Sequence, residues 1–347
     1  MQADDSAGAL PSALLQHIDI FRCPACAGPL KVPRDRGGME CSKCNRYFRC
    51  ENGIPLLFWP NEWEESKEDV TDAVRSFYEE NPFPSYEDWD SSESLRQKAE
   101  KGVFARLLDA QIPHGAKVLE VGCGTGQLSN FLGMRWGRSV FATDICLNSL
   151  RMGQDFKEKN QIANVAFVQM NLYKPVFRQG IFDLVICNGV LPCASDPFSG
   201  FQSISRLAKK GGYLIVGLYN TYGRIPQDIR RLIFRLTGDR LKFLDSRLRD
   251  SSIGDARKHI WFLDQYKNPR ESKQTIGEVL SWFQESGVEF VNGIPKCKAF
   301  ESFSPGEKLF EVRSSGTRLD HFLVQLGMLL GGGREGGFFV MIGRRDS

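Results

Sequence analysis

The chain has 347 residues, a formal net charge of +3, 41% hydrophobic and 25% charged residues. These are ordinary values for a soluble globular protein able to bury a sizeable core, so composition alone excludes little. The length exceeds what a single core usually supports, and one large domain plus a smaller module is expected. The N-terminus, MQADDSAGALPSALL, lacks the basic start and apolar stretch of a signal peptide, and no apolar run approaches about 18 residues. No membrane span and a cytoplasmic location are therefore expected.

In chain order, the first module is written in cysteine. Cys23-Pro-Ala-Cys26 and Cys41-Ser-Lys-Cys44 are two C-x-x-C pairs separated by fourteen residues that include Gly37-Gly38. Each pair can present two thiolates from one tight knuckle, and two knuckles complete a tetrahedral four-sulfur site of the kind that holds structural zinc. The second pair argues against a redox dithiol, which needs only one. A site filled by four protein sulfurs leaves no open position for water or substrate, so the metal would fold the module and not catalyse. Cys50 reads as a buried small residue. The stretch FRCPACAGPLKV…MECSKCNRYFRCENGIPLLF resembles the short zinc ribbons that act as activating partners of tRNA and protein methyltransferases.

An acidic segment follows. Glu62 to Glu93 holds twelve acidic residues against two basic, whereas Arg224 to Lys273 holds thirteen basic against seven acidic. Each block is a solvated face, or in the second case a basic wall for an anionic substrate. Within the acidic segment, the two prolines of NPFPSY (81–86) fix a bend in a stretch expected to fold over a ligand, with Tyr86 as a candidate lid residue.

From residue 100 the chain alternates short apolar runs with helical patterns, the rhythm of a parallel sheet covered on both faces. Strands are expected at Lys117–Val121, Val140–Thr143, Val165–Met170, Phe182–Cys187 and Tyr213–Leu218. GQLSNFLGMRW, LNSLRMGQDFKEKN and DPFSGFQSISRLAKKGG read as the helices between them, the last stopped by glycine. Gly122, Gly124 and Gly126 fall on the first strand-to-helix turn, where doubly wound sheets bind ligands. A dinucleotide site would want G-x-G-x-x-G; here the spacing is G-x-G-x-G, preceded by Glu120, whose carboxylate repels a pyrophosphate and attracts an ammonium. About twenty residues on, Asp144 can take both hydroxyls of a ribose. A ligand with a ribose, a cationic end and no phosphate is S-adenosylmethionine.

The ordered motifs VLEVGCGTG, VFATD, FVQMNLY and FDLVICNGVL, followed by KKGGYLIVGLY, resemble the class I S-adenosylmethionine-dependent methyltransferases, particularly the ubiquinone and menaquinone biosynthesis branch. The resemblance implies an α/β, Rossmann-like seven-stranded methyltransferase sheet, here with an N-terminal zinc ribbon and a helical cap insertion. It implies that Gly122, Gly124 and Gly126 approach the methionine part of the cofactor, that Asp144 binds the ribose, that Asn171 lies near the adenine amino group and that Asn188 lines the methionine side. After NGVL this chain has Pro192-Cys193 where many small-molecule members carry a histidine or aromatic residue. Cys193 reads as a pocket-lining thiol; a nucleophilic role would need an activating acid motif that does not follow.

Beyond Tyr219, YNTYGRIPQDIRRLIFRL sets Ile225, Ile229, Leu232 and Leu236 on one helical stripe with Arg230, Arg231 and Arg235 off it, an amphipathic helix that caps the pocket or packs as scaffold. KHIWFLDQYKNPRES reads as a polar loop, a substrate lid or a surface turn. TIGEVLSWFQESG is a helix with a Thr275/Glu278 capping box and Gly287 as stop, an apolar helix is expected near Leu319–Leu330, and FFVMIGRR reads as the final strand. The expected organisation is a zinc ribbon at 1–60, an acidic linker and lid segment at 61–99, and a methyltransferase domain at 100–347 with insertions at about 221–274 and 296–337. The expected activity is methyl transfer by direct displacement onto a small-molecule acceptor. The alternatives are a tRNA or protein acceptor recognised through the ribbon, and a non-catalytic cofactor-binding protein. Candidate proton acceptors are Tyr219, Tyr222, His259 and Asp264; the expected cofactors are S-adenosyl-L-methionine and structural zinc.

Overall fold

The computed structural model describes residues 10–34, 37–63, 68–87, 90–251, 253–331 and 336–346. After a one-turn helix α1 (Ser12–Leu15), strands β1 (Leu30–Lys31), β2 (Met39–Cys41) and β3 (Tyr47–Phe48) pair antiparallel, followed by the two-stranded β4 (Cys50–Glu51) and β5 (Ile54–Pro55). Helices α2 (Thr71–Glu80), α3 (Ser92–Lys101) and α4 (Val103–Gln111) lead into the main sheet.

Runs rich in Val, Ile, Leu and Phe build that sheet because both its faces are covered by helices and need apolar side chains on each. β6 (Lys117–Val121), α5 (Gln127–Gly133), β7 (Ser139–Asp144), α6 (Leu147–Lys159), β8 (Val165–Gln169), β9 (Phe182–Asn188), α7 (Pro197–Ser205) and β10 (Ala208–Tyr219) follow in order. The cap then comprises α8 (Ile225–Thr237), α9 (Ser246–Arg249) and α10 (Asp255–Tyr266). α11 (Ile276–Glu285), β11 (Val288–Ile294), α12 (Arg318–Leu330) and β12 (Phe338–Arg345) close the chain. The sheet order is β11-β12-β10-β9-β6-β7-β8, with β12 antiparallel to both neighbours and β8 to β10 parallel throughout. This is the Rossmann-like seven-stranded methyltransferase sheet. The chain runs outward from β6 to β8 and then returns to β9 on the other side of β6, which opens a cleft beyond the ends of β6 and β9.

The N-terminal segment expected to form the ribbon is packed onto the sheet. Leu57 N–H donates to the Gln169 carbonyl (3.1 Å), Arg22 N–H to Val176 (2.7 Å) and Arg178 N–H to Ile20 (2.7 Å). Phe21 packs its ring 5.0 Å from that of Phe177 and edge-on to Phe141. One apolar core therefore runs from Leu14, Met39 and Cys41 into Phe141, Val168 and Phe182. The ribbon covers the outer edge of β8, whose unpaired backbone would otherwise be exposed for pairing with another chain.

Four features differ from the sequence reading. α7 ends at Ser205, and Ala208 to Gly212 already belongs to β10, because the glycines form a bulge in the strand and not a helix stop. β11 was not expected, although VEFVNGI directly follows the Gly287 stop. Residues 255–266 form a helix and not a loop: Phe262 and Tyr266 pack on Phe234, while intervening polar residues that find buried partners mask the periodicity. The apolar stripe of α8 faces outward. Phe234 is its buried aromatic, and Arg231 turns inward to Glu271 (2.8 Å) while Asp228 meets Lys273 (2.5 Å).

Candidate active site

Beyond the carboxyl ends of β6 and β9 lies a cavity of about 670 Å³, lined at one end by Glu120, Gly122, Gly124, Asp144 and Asn188 and at the other by Tyr78, Cys193, Tyr219, Asp264 and Asn268. Gly122, Gly124 and Gly126 all hold positive φ (68°, 54° and 71°). At Gly124 a Cβ would lie 2.1 Å from the carbonyl oxygen of Phe83, so only glycine lets the 81–86 segment close over the loop. Thr125 Oγ1 donates to the Pro84 carbonyl (2.5 Å) and Gln127 Nε2 to that of Ser85 (3.0 Å). Phe83 and Pro84 thereby form part of the cavity wall. Tyr86 is no lid: it stacks on Phe156 and accepts a bond from Asn130 Nδ2 (3.1 Å). Gly126 packs against Phe167, outside the cavity lining.

The two carboxylates at the glycine end have distinct environments. Asp144 braces the turn, accepting the N–H of Gly124 (2.8 Å) with one oxygen and that of Cys146 (2.9 Å) with the other. Burial holds its carboxyl up at about 6, against the pull of these amides. Each oxygen keeps a lone pair for a ribose hydroxyl. Glu120 is buried beside Ser129, whose hydroxyl donates to it, and desolvation pushes it up to about 7. Asn188 Oδ1 is buried without a hydrogen-bond partner among the described residues. An orphaned acceptor lining the same cavity as two desolvated carboxylates fits a ligand that brings hydroxyl donors and a cation, which is what S-adenosylmethionine would supply. Asn171 lines the cavity too, but its side chain is engaged within the chain: Nδ2 donates to the Trp59 carbonyl (2.9 Å) and Asn61 Oδ1 (2.8 Å), and Oδ1 accepts the Tyr173 N–H (3.1 Å). It ties the segment leaving the ribbon to the end of β8.

At the other end, Tyr78 Oη donates to Asp264 Oδ1 (2.9 Å) and accepts from Asn268 Nδ2 (2.8 Å). Gln265 Nε2 donates to Asp264 Oδ2 (2.7 Å) and to Tyr219 Oη (3.2 Å). Burial raises the Asp264 carboxyl above the ordinary carboxylate range, and both tyrosines are raised too, chiefly by burial. Of the four candidate proton acceptors, Tyr219 and Asp264 reach the cavity. Tyr222 is exposed just before α8, and His259 lies on the exposed side of α10, because five residues of helix turn it away from Asp264. Tyr78 was missed by sequence reading; it sits in an acidic stretch whose α2 helix carries no motif, and only folding brings it over the β9 end. Cys193 lies 3.3 Å from Asn268 Nδ2, and burial pushes its thiol up to about 12. Cys193 thus lines the cavity as a buried thiol, and a thiol held neutral by burial is a poor nucleophile.

The sulfurs of Cys23, Cys26, Cys41 and Cys44 lie within 4.8 Å of one another, with Cys23–Cys44 at 3.7 Å and Cys26–Cys41 at 3.4 Å. Tetrahedral zinc with bonds near 2.3 Å requires sulfur separations of about 3.8 Å, so the set fits zinc. The knuckles are alike: Ala27 and Asn45 each take positive φ, and their amides close back on Cys23 and Cys41.

Residues 119–216 match a family described as "Methyltransferase domain". The ubiquinone biosynthesis O-methyltransferase of Acinetobacter baylyi is 29% identical over 141 residues, 38% of this chain and 58% of its own length. That of Albidiferax ferrireducens is 31% identical over 114 residues, 33% of this chain and 44% of its own. The chain thus spans about half the length of the curated relatives it matches. Among solved structures, PKMT2 from Rickettsia typhi in complex with AdoHcy aligns with a TM-score of 0.51 at 18% identity, covering 76% of this chain and 55% of that one, a likeness of fold alone.

Proposed function

We propose that the protein is an S-adenosylmethionine-dependent methyltransferase whose acceptor is a small molecule bearing an ionisable hydroxyl. The observation that carries this reading is a single cavity with the glycine turn, Glu120, Asp144 and Asn188 at one end and the Tyr78–Asp264 pair at the other. The bound cofactor supplies an electrophilic methyl on a sulfonium. Glu120, Asp144 and Asn188 hold and orient it; Asn171 keeps the neighbouring wall in place.

The chain's own chemistry is proton removal and exclusion of water. A hydroxyl beside Tyr78 passes its proton to the phenol oxygen as the phenol passes its own to Asp264, which is a better base than an exposed aspartate because burial disfavours its charge. The acceptor oxygen, relieved of its proton, is left as the nucleophile, so no covalent enzyme intermediate is needed. The cap residues Trp261, Asp264, Gln265 and Asn268 wall this end of the cavity, which favours a small acceptor over a polymer. The O-methyltransferase names of the curated relatives agree with a hydroxyl acceptor. Zinc in the ribbon is structural, on the β8 side of the sheet, and takes no part in transfer.

Methyl-labelled cofactor incubated with a cell extract should place label in the small-molecule fraction. Tyr78→Phe should lower kcat about 10²- to 10⁴-fold, the range of general-base contributions, with cofactor affinity unchanged. Label in RNA or protein would select the polymer reading, and label nowhere would select the non-catalytic one.

A further inference from the structure

The outer face of α8 is apolar where a cap helix is normally polar. Ile229 and Leu232 are each 54% exposed and Leu236 76%, and their spacing sets them along one stripe. Phe243 and Leu244, a few residues beyond the end of α8, are exposed as well. The opposite face is already committed to the protein through Phe234, Arg231 and Asp228, so the stripe cannot turn inward without breaking those contacts. Arg235, Arg240, Lys242 and Arg249 stand exposed in the same stretch. Of the acids in this stretch, Asp245 is turned inward to Tyr266 and Trp261 and Asp239 is neutralised at the surface by Lys267, which leaves Asp250 and Asp255 as the exposed acids beside these four cations.

We propose that this face of the cap docks on an anionic lipid bilayer, with Ile229, Leu232, Leu236, Phe243 and Leu244 at the boundary of acyl chains and headgroups and the exposed cations against headgroup phosphates. A strongly amphipathic helix with a basic margin is the form that lies in a membrane interface without crossing it. Charge selects this occupant over a second copy of the chain, which would bring the same exposed Arg235, Arg240, Lys242 and Arg249 against themselves. The inference is independent of the methyl-transfer reading, although the inner face of the same cap carries Asp264 and Trp261 into the cavity.

Co-sedimentation of the full chain with vesicles tests it. Vesicles of equimolar phosphatidylcholine and phosphatidylglycerol should carry down most of the protein at low salt, and phosphatidylcholine alone should carry down little. The double substitution Leu232→Glu/Leu236→Glu should reduce binding to the anionic vesicles by at least about tenfold, and Arg235→Ala/Arg240→Ala should reduce it severalfold and flatten its salt dependence. All four positions are exposed, so circular dichroism and cofactor binding should remain those of the parent. Absence of binding by the parent, or equal binding by the Leu→Glu variant, overturns the proposal. A dimer seen by sedimentation velocity that the Leu→Glu variant dissolves, without vesicle binding by the parent, assigns the face instead to self-association.

Discussion

One carboxylate oxygen of Asp144 accepts the backbone N–H of Gly124 at 2.8 Å. The residue at the end of β7 therefore shapes the glycine turn before any ligand arrives. Asp144→Ala removes both that brace and the expected ribose partner. Cofactor affinity should fall by about 1.5–3 kcal/mol, the cost of a lost charged hydrogen bond, which calorimetry would register as a weakening of roughly tenfold to a hundredfold. Unchanged affinity in a folded variant would remove Asp144 from the site.

The buried Glu120 makes the empty site sensitive to pH. Its carboxyl is raised from 4.5 to about 7 by desolvation, so the folded state binds a proton that the unfolded state has already lost. Its contribution to stability is complete below about pH 4.5 and falls away as pH rises through about 7. Glu120→Gln should therefore stabilise the empty protein at about pH 8 by up to about 3 kcal/mol, with little effect near pH 4. Cofactor binding runs oppositely: an ammonium group needs the carboxylate, so parent affinity should rise with pH through about 7 and Glu120→Gln should flatten that rise. Denaturant titrations and calorimetry across this interval would check both signs; a variant with the parent's pH profile would show that Glu120 is not the group responsible.

Arg224 is fully buried and grips both oxygens of Glu271, at 2.9 and 2.6 Å, with its guanidinium over the Tyr219 ring. Arg224→Met should destabilise the fold by about 3–5 kcal/mol because Glu271 is left buried with Arg231 as its one remaining ion-pair partner among the described residues. Adding Glu271→Gln should recover part of the loss in equilibrium unfolding, which a purely steric defect at position 224 would not allow.

The ribbon's four cysteines should bind one metal per chain, and elemental analysis of Cys26→Ser should show zinc lost. Because the segment leaving the ribbon is held by Asn171 at the cavity wall, cofactor binding should weaken along with the ribbon's protection from hydrogen exchange. Full zinc content in Cys26→Ser would show that the ligand set is wrong.

Local chemistry made much of this legible in the sequence. Glycines at fixed spacing, apolar runs of strand length and paired C-x-x-C knuckles are constraints that a short stretch imposes on itself, and Lys117–Val121 and the final strand from Phe338 lie where they were read. The Thr275/Glu278 capping box likewise forms as written. What the sequence could not reveal were relationships between distant segments. Which face of α8 turns inward depends on Glu271 and Lys273, some forty residues away; local periodicity says only that the helix is two-faced. Tyr78 becomes a partner of Asp264 because α2 and α10 meet over the end of β9, across a separation of 186 residues. Tyr222 and His259 carry chemistry suited to catalysis yet stand outside the cavity. A side chain's chemical type is fixed by the chain, but its position relative to the cavity is set by tertiary packing.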